Sequence, residues 1–309
     1  MSRSHGLVLA ISSLIGVGWM LGCVYLAGSY GPWLFISAPV AQGAVCAFLC
    51  ESIGIRTRKN VFSLTACSIA ITGCLLIVGH LEGVVCLAMA LPLAIPLALF
   101  GAWVTRSILT NWRSPRTLAP LVLAPFFLAN SSDPGLHAVE SQLEIAAPPE
   151  LVWRNVVEFS DLPAPHELLF KTGLAYPERA RIVGRGVGAV RYCEFSTGAF
   201  VEPIRVWDEP RLLRFAVTEN PEPLRELTLY KSLHPPHLNG YFVSREGQFL
   251  LELLPNGHTL LRGTSWYELH MGPGPYWRLW SDYIIHQIHR RVLEHIRTLA
   301  EANVKQPKL

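Results

Sequence analysis

Hydrophobic and polar positions divide the chain near residue 130. Up to that point long apolar runs alternate with short loops. Segments 6–28, 32–50, 61–79 and 83–104 are each 19 to 23 residues long and carry no charge. At about 1.5 Å per helical residue each matches a hydrocarbon layer roughly 30 Å thick, so the pattern predicts four transmembrane helices. A fifth segment, 117–132, is harder to read. Its strongly apolar part is short, Pro120 and Pro125 interrupt it, and the uncharged interval from Arg116 to Asp133 is 16 residues. It would cross only a thin or locally deformed bilayer, and an interfacial position is the alternative.

Beyond residue 136 the pattern changes to alternation, turns and one long amphipathic segment. Val139, Leu143 and Ile145 alternate with Glu140, Gln142 and Glu144, as in a half-buried strand. Pro148-Pro149-Glu150 then opens a short helix, because proline suits a first helical turn and an acid there favours the dipole. Strands are predicted over 189–195, 199–207, 211–218, 241–254 and 258–270, with Asn256-Gly257 as a hairpin turn between the last two. Residues 275–302 lack internal proline and glycine. Trp277, Trp280, Ile284, Ile288, Val292, Ile296 and Leu299 form one apolar stripe that must lie against the sheet. The expected organisation is a transmembrane helical domain at 1–130, an α+β domain at 136–303 and a tail at 304–309.

Charge supports this division. Residues 1–130 contain seven Lys/Arg and two acids, whereas the rest contains 19 Lys/Arg and 21 acids. The positive balance belongs to the membrane loops, so nucleic acid is not an expected partner. Arg56, Arg58 and Lys59 follow the second helix, and Arg106, Arg113 and Arg116 follow the fourth. The other two loops lack Lys and Arg, which places the N-terminus and the basic loops in the cytoplasm. With a spanning fifth segment, the second domain lies on the outer face of a bacterial inner membrane.

No ionisable residue lies within the four clear spans, so the bundle reads as an anchor and packing module, not an ion pathway. Gln42, Thr65, Ser68 and Thr72 are expected as interhelical polar contacts, and Gly18-x-x-x-Gly22 as a close-packing pattern. Six of the seven cysteines lie in the apolar half and no C-x-x-C pair occurs. His286 and His289 have a spacing that can share a metal, but no third ligand accompanies them, so neither metal nor cofactor is expected. Gly184-x-Gly186-x-Gly188 precedes a strand and therefore reads as a turn, not a phosphate loop.

The order of elements resembles the helix-grip fold of the START-like (SRPBCC) superfamily, with its polyketide cyclase/dehydrase and lipid-transport members. The resemblance rests on Ile-Ala-Ala-Pro-Pro-Glu-Leu-Val-Trp at 145–153, Gly-Val-Gly-Ala-Val-Arg at 186–191, the segment from Ile204 through Trp207-Asp208-Glu209-Pro210 to Leu213, and the Trp-rich final helix. It covers about residues 137–302 and implies a cavity between a curved antiparallel sheet and the last helix. On that basis a hydrophobic small molecule or lipid would meet Trp277, Trp280, Ile284 and Ile288 from the helix, and Tyr192, Trp207 and Trp266 from the sheet. Each aromatic, taken singly, also reads as a plain core residue. A cyclase- or dehydratase-like activity on an aromatic substrate is the alternative, using His234 or His237 with Glu194 or Arg191 as an acid/base set. A ligand-free structural or interaction module is the third reading.

Overall fold

The computed structural model describes residues 3–110, 135–230 and 233–305. The fifth apolar segment, 117–132, and the last four residues of the tail lie outside the described residues. The chain divides into two compact units. The described residues of the first are 3–110, 226–230, 233–237 and 270–277, and those of the second are 135–225, 238–269 and 278–305. The helical unit therefore takes in two late segments that sequence order alone assigns to the α+β domain.

The first unit is built on α1 (Arg3–Leu21), α2 (Ala38–Ser52), α3 (Arg58–Val78) and α4 (Val84–Thr110). Single π-helical turns extend α1 over Gly22–Leu26 and precede α2 over Trp33–Ser37. All four resulting helices are long and apolar enough to cross a membrane. The last outruns its uncharged segment by one and a half turns, because Arg106 interrupts hydropathy but not helix.

Close packing is carried by glycines other than the pair that the sequence pattern suggests. A Cβ on Gly43 would lie 1.8 Å from the Ala98 carbonyl oxygen, and one on Gly101 would lie 2.1 Å from that of Val40. Thus α2 and α4 approach backbone to backbone through reciprocal glycines, whereas nothing lies within 4 Å of a Cβ on Gly18 or Gly22. Gln42 donates to Thr72 Oγ1 at 2.8 Å and to Ser68 Oγ at 3.3 Å, which links α2 to α3. Thr65 instead bonds within its own helix, to the Val61 carbonyl.

The second unit is helix-grip-like. Seven antiparallel strands are β1 (His137–Ile145), β2 (Pro177–Val183), β3 (Val190–Phe195), β4 (Gly198–Asp208), β5 (Leu212–Ala216), β6 (Phe242–Leu253) and β7 (Thr259–Leu269). They form one curved sheet in the order β1-β7-β6-β5-β4-β3-β2. Short helices α5 (Pro149–Val157) and α6 (Leu168–Lys171) follow β1, and α7 (Gly274–Lys305) closes the fold.

Strand β2 is the one that the apolar pattern does not reveal: Glu178, Arg179, Arg181 and Val183 are exposed and only Pro177 and Ala180 are buried. The core gathers Ile145, Val152, Trp153, Leu213, Leu261 and Ile296 around the inner sheet face. On α7 the buried residues are Trp277, Ile285, Val292, Leu293, Ile296 and Ala300; Trp277, Val292 and Ile296 belong to the predicted stripe, and Ile285, Leu293 and Ala300 shift it to one side.

Candidate ligand cavity and the buried polar cluster

Each unit contains a cavity lined entirely by its own residues. In the second unit a space of about 120 Å³ lies between the inner sheet face and α7. Strand alternation and register decide what faces it. Arg191 on β3 is directly opposite Glu202 on β4, and the two side chains form an ion pair with 2% and 7% of their surface exposed. The guanidinium lies between the rings of Phe159, Phe215 and Phe249, 5.4 to 5.6 Å from their centroids. These quadrupoles compensate part of the hydration that the cation has lost. Burial pushes the Glu202 carboxyl above its usual range, and Arg191 opposes that shift.

From α7 the cavity receives Ile285, Ile288, His289 and Val292. His289 contacts Ser265 Oγ through Nε2 at 2.8 Å and Ser141 Oγ through Nδ1 at 3.2 Å. His286 reaches the same serine at 2.7 Å, so the two histidines share a hydroxyl. Burial pushes His289 down to about 4.

The remaining sequence candidates fall elsewhere. Tyr192 and Trp266 occupy strand positions that alternate with cavity residues. Each lies beneath an arginine, Arg181 at 4.4 Å and Arg214 at 5.0 Å. Trp207 packs edge-on against Trp153 in the core. Trp280 and Ile284 are half-buried but do not line the cavity. Trp277 belongs to the first unit, where it meets Phe35.

The two sheet members of the acid/base set are not brought together. Glu194 is three residues from Arg191 and therefore on the opposite strand face, held by Arg179 at 2.6 Å and Arg181 at 2.8 Å. His234 is exposed and His237 buried, both in the first unit.

The cavity of the first unit is larger, about 380 Å³, with walls from α1 to α4. Met20, Phe35, Ile69, Leu87 and Trp277 contribute to an almost wholly apolar surface. Besides Gln42 and Thr72, a group of four polar side chains meets it together: Tyr30, Glu82, Cys86 and His237.

The geometry of this cluster begins with the start of α4. Its first three amides are satisfied by a distant part of the chain: Val84 N–H donates to the Leu227 carbonyl, and Val85 and Cys86 N–H donate to the Glu226 carboxylate at 3.2 and 3.3 Å. An acid here satisfies orphan donors and complements the helix dipole. Gly83 makes room for it, since a Cβ there would overlap Glu226 Oε2 at 1.9 Å.

With the helix start fixed, Cys86 Sγ lies 2.9 Å from His237 Nε2. Glu82 Oε1 accepts from Tyr30 O–H at 2.7 Å and lies 3.7 Å from His237 Nδ1. Glu82 Oε2 and His237 Nδ1 have no hydrogen-bond partner among the described residues. Burial pushes Glu82 up to about 8 and His237 down to about 4. Burial and the neighbouring Glu82 also raise Tyr30, and burial raises Glu226.

Sequence spacing could not join Cys86 to His237, which are 151 residues apart. A partial signal exists, because Glu82 is one of two acids in the first 130 residues and stands four residues before a cysteine.

No family model matches the chain, and no curated protein matches it. Solved structures similar to it include truncated norcoclaurine synthase from Thalictrum flavum, 13% identical with a TM-score of 0.35, covering 55% of this chain and 96% of that one. The Zhui aromatase/cyclase of a Streptomyces species is 14% identical with a TM-score of 0.36, covering 56% and 99%. A protein from Nitrosospira multiformis is 18% identical with a TM-score of 0.34, covering 52% and 94%.

Proposed function

We propose that the chain is a membrane-embedded protein whose second unit, a START-like (SRPBCC) helix-grip domain, binds a small hydrophobic molecule. The observation that carries this reading is the cavity of about 120 Å³ between the sheet and α7, whose largely aromatic and aliphatic walls also carry the Arg191–Glu202 pair, Glu246, Gln248 and His289. An apolar cavity of about 150 Å³ accepts benzene. The space therefore suits one ring-sized molecule, and a polycyclic or long-chain lipid ligand would require Ile288 and Phe249 to move. The four apolar helices would anchor the chain in the bilayer. Their loop charges favour a cytoplasmic N-terminus at a bacterial inner membrane, with the second unit on the outer side.

Gly263 gives a direct test. A Cβ there meets Phe249 and Leu293 at 3.6 and 3.7 Å, ordinary contact, so the larger side chain of Gly263→Leu would occupy the space. The full chain, purified in detergent and extracted with solvent, should release a ring-sized apolar compound in near-equimolar amount. Gly263→Leu should release at least tenfold less. Release of nothing from the unmodified protein, or of equal amounts from both, would refute the reading.

A further inference from the structure

We propose that Glu82, Cys86 and His237 form a binding site for a divalent cation of the Zn²⁺ type, with a remaining coordination position facing the apolar cavity of the first unit. Their ligand atoms lie within 4.8 Å of one another. One carboxylate, one thiolate and one imidazole make the mixed O/S/N set that borderline cations prefer, whereas Mg²⁺ and Ca²⁺ prefer oxygen alone. Three protein ligands around a tetrahedral ion leave one position for another molecule.

Two observations independent of residue type point to a ligand. Glu82 and His237 are each only 6% exposed. Among the described residues, Glu82 Oε2 and His237 Nδ1 have no hydrogen-bond partner. An unsatisfied buried polar atom is costly, and a cation ligated by Glu82 Oε2 would satisfy that atom, with His237 ligating through Nε2, the nitrogen beside Cys86 Sγ. The adjoining groups have the arrangement of an outer coordination shell. Tyr30 O–H holds the other oxygen of Glu82, leaving Oε2 free to ligate. Glu226 holds the Cys86 amide and thereby fixes the position of the thiol. Coordination needs the Cys86 sulfur and the imidazole nitrogen roughly 3.5 Å apart, from ordinary Zn–S and Zn–N lengths. Their separation of 2.9 Å requires a small rotation of one side chain. Binding would release the thiol proton and that of a protonated carboxyl, so two anionic ligands neutralise the divalent charge.

The test uses full-length protein in detergent, stripped with chelator and titrated with Co²⁺. One equivalent should bind and produce an intense sulfur-to-cobalt charge-transfer band, which Zn²⁺ abolishes by displacement. Cys86→Ser should lose the band. A variant with Cys86 as its sole cysteine should keep it, which separates this thiol from the other six cysteines. Tyr30→Phe should retain the band and bind about 10- to 100-fold more weakly, as expected for loss of an outer-shell hydrogen bond. Failure of the unmodified protein to bind stoichiometric Co²⁺ overturns the proposal. Persistence of the band in Cys86→Ser, or its absence from the sole-cysteine variant, also overturns it. If Cys86→Ser fails to fold, the sole-cysteine and Tyr30→Phe variants still decide.

Discussion

Removing Arg191 while keeping Glu202 would leave a carboxylate with 7% of its surface exposed and without its cation. Breaking a buried pair in this way costs about 3–5 kcal/mol, largely the desolvation of the stranded charge. Replacing both partners with apolar side chains of similar volume is commonly neutral or stabilising. Arg191→Met should therefore destabilise the sheet strongly, and Arg191→Met combined with Glu202→Leu should restore it. Hydrogen exchange of the full chain in micelles, followed by mass spectrometry of peptides from β3 to β5, reads this locally and avoids assuming that two units unfold together. At about 1.4 kcal/mol per power of ten, protection should fall by roughly two to three and a half powers of ten in the single variant. The double variant should lie within about one power of ten of the original. A loss of less than tenfold in Arg191→Met would mean that Glu202 is not held in a dry interior. A double variant as weak as the single one would refute the coupling between them.

Three other outcomes are expected. His289 is pushed down to about 4, so the folded unit binds fewer protons than the unfolded chain. Its contribution is intact above about pH 6.5 and is lost as pH falls toward 4, by about 3 kcal/mol in all. The stability–pH slope of β7 peptides in exchange experiments should flatten in His289→Gln. A Cβ on Gly247 would strike the Phe215 ring at 2.4 Å. Gly247→Ala should thus cost about 1–3 kcal/mol by overpacking, measurable in the same exchange assay. Gly101→Leu should force α2 from α4 and lower the temperature of thermal aggregation in detergent, whereas Gly18→Leu, with open space around it, should leave that temperature unchanged.

The contrast between those two glycines shows what a one-dimensional pattern conveys. Apolar length is a property of a single segment, so the four long apolar helices are legible. The Asn256-Gly257 hairpin is legible because its chemistry is local; Gly257 adopts φ +81°. Which glycine meets a neighbouring backbone depends on helix crossing, and the i, i+4 pair Gly18/Gly22 carries no information about that. On α7, Trp280, Tyr283 and Ile284 widen the apolar arc enough that helical period does not choose between faces. The facing of Arg191 was available from strand parity, which separates it from Glu194. Its pairing with Glu202 required the β3–β4 register. The Glu82–Cys86–His237 grouping depends on a return of the chain to the helical unit that no spacing rule anticipates.

That return also sets an order in time. During synthesis α4 emerges with its first three amides uncapped, and the residues that satisfy them, Glu226 and Leu227, are made about 140 positions later. Five of the seven strands precede them in the chain. The helical unit is therefore the first to be started and cannot be finished until most of the sheet has been translated. A ribosome-stalled chain ending before residue 226 should show rapid amide exchange at the start of α4, and one that exposes residue 237 should not.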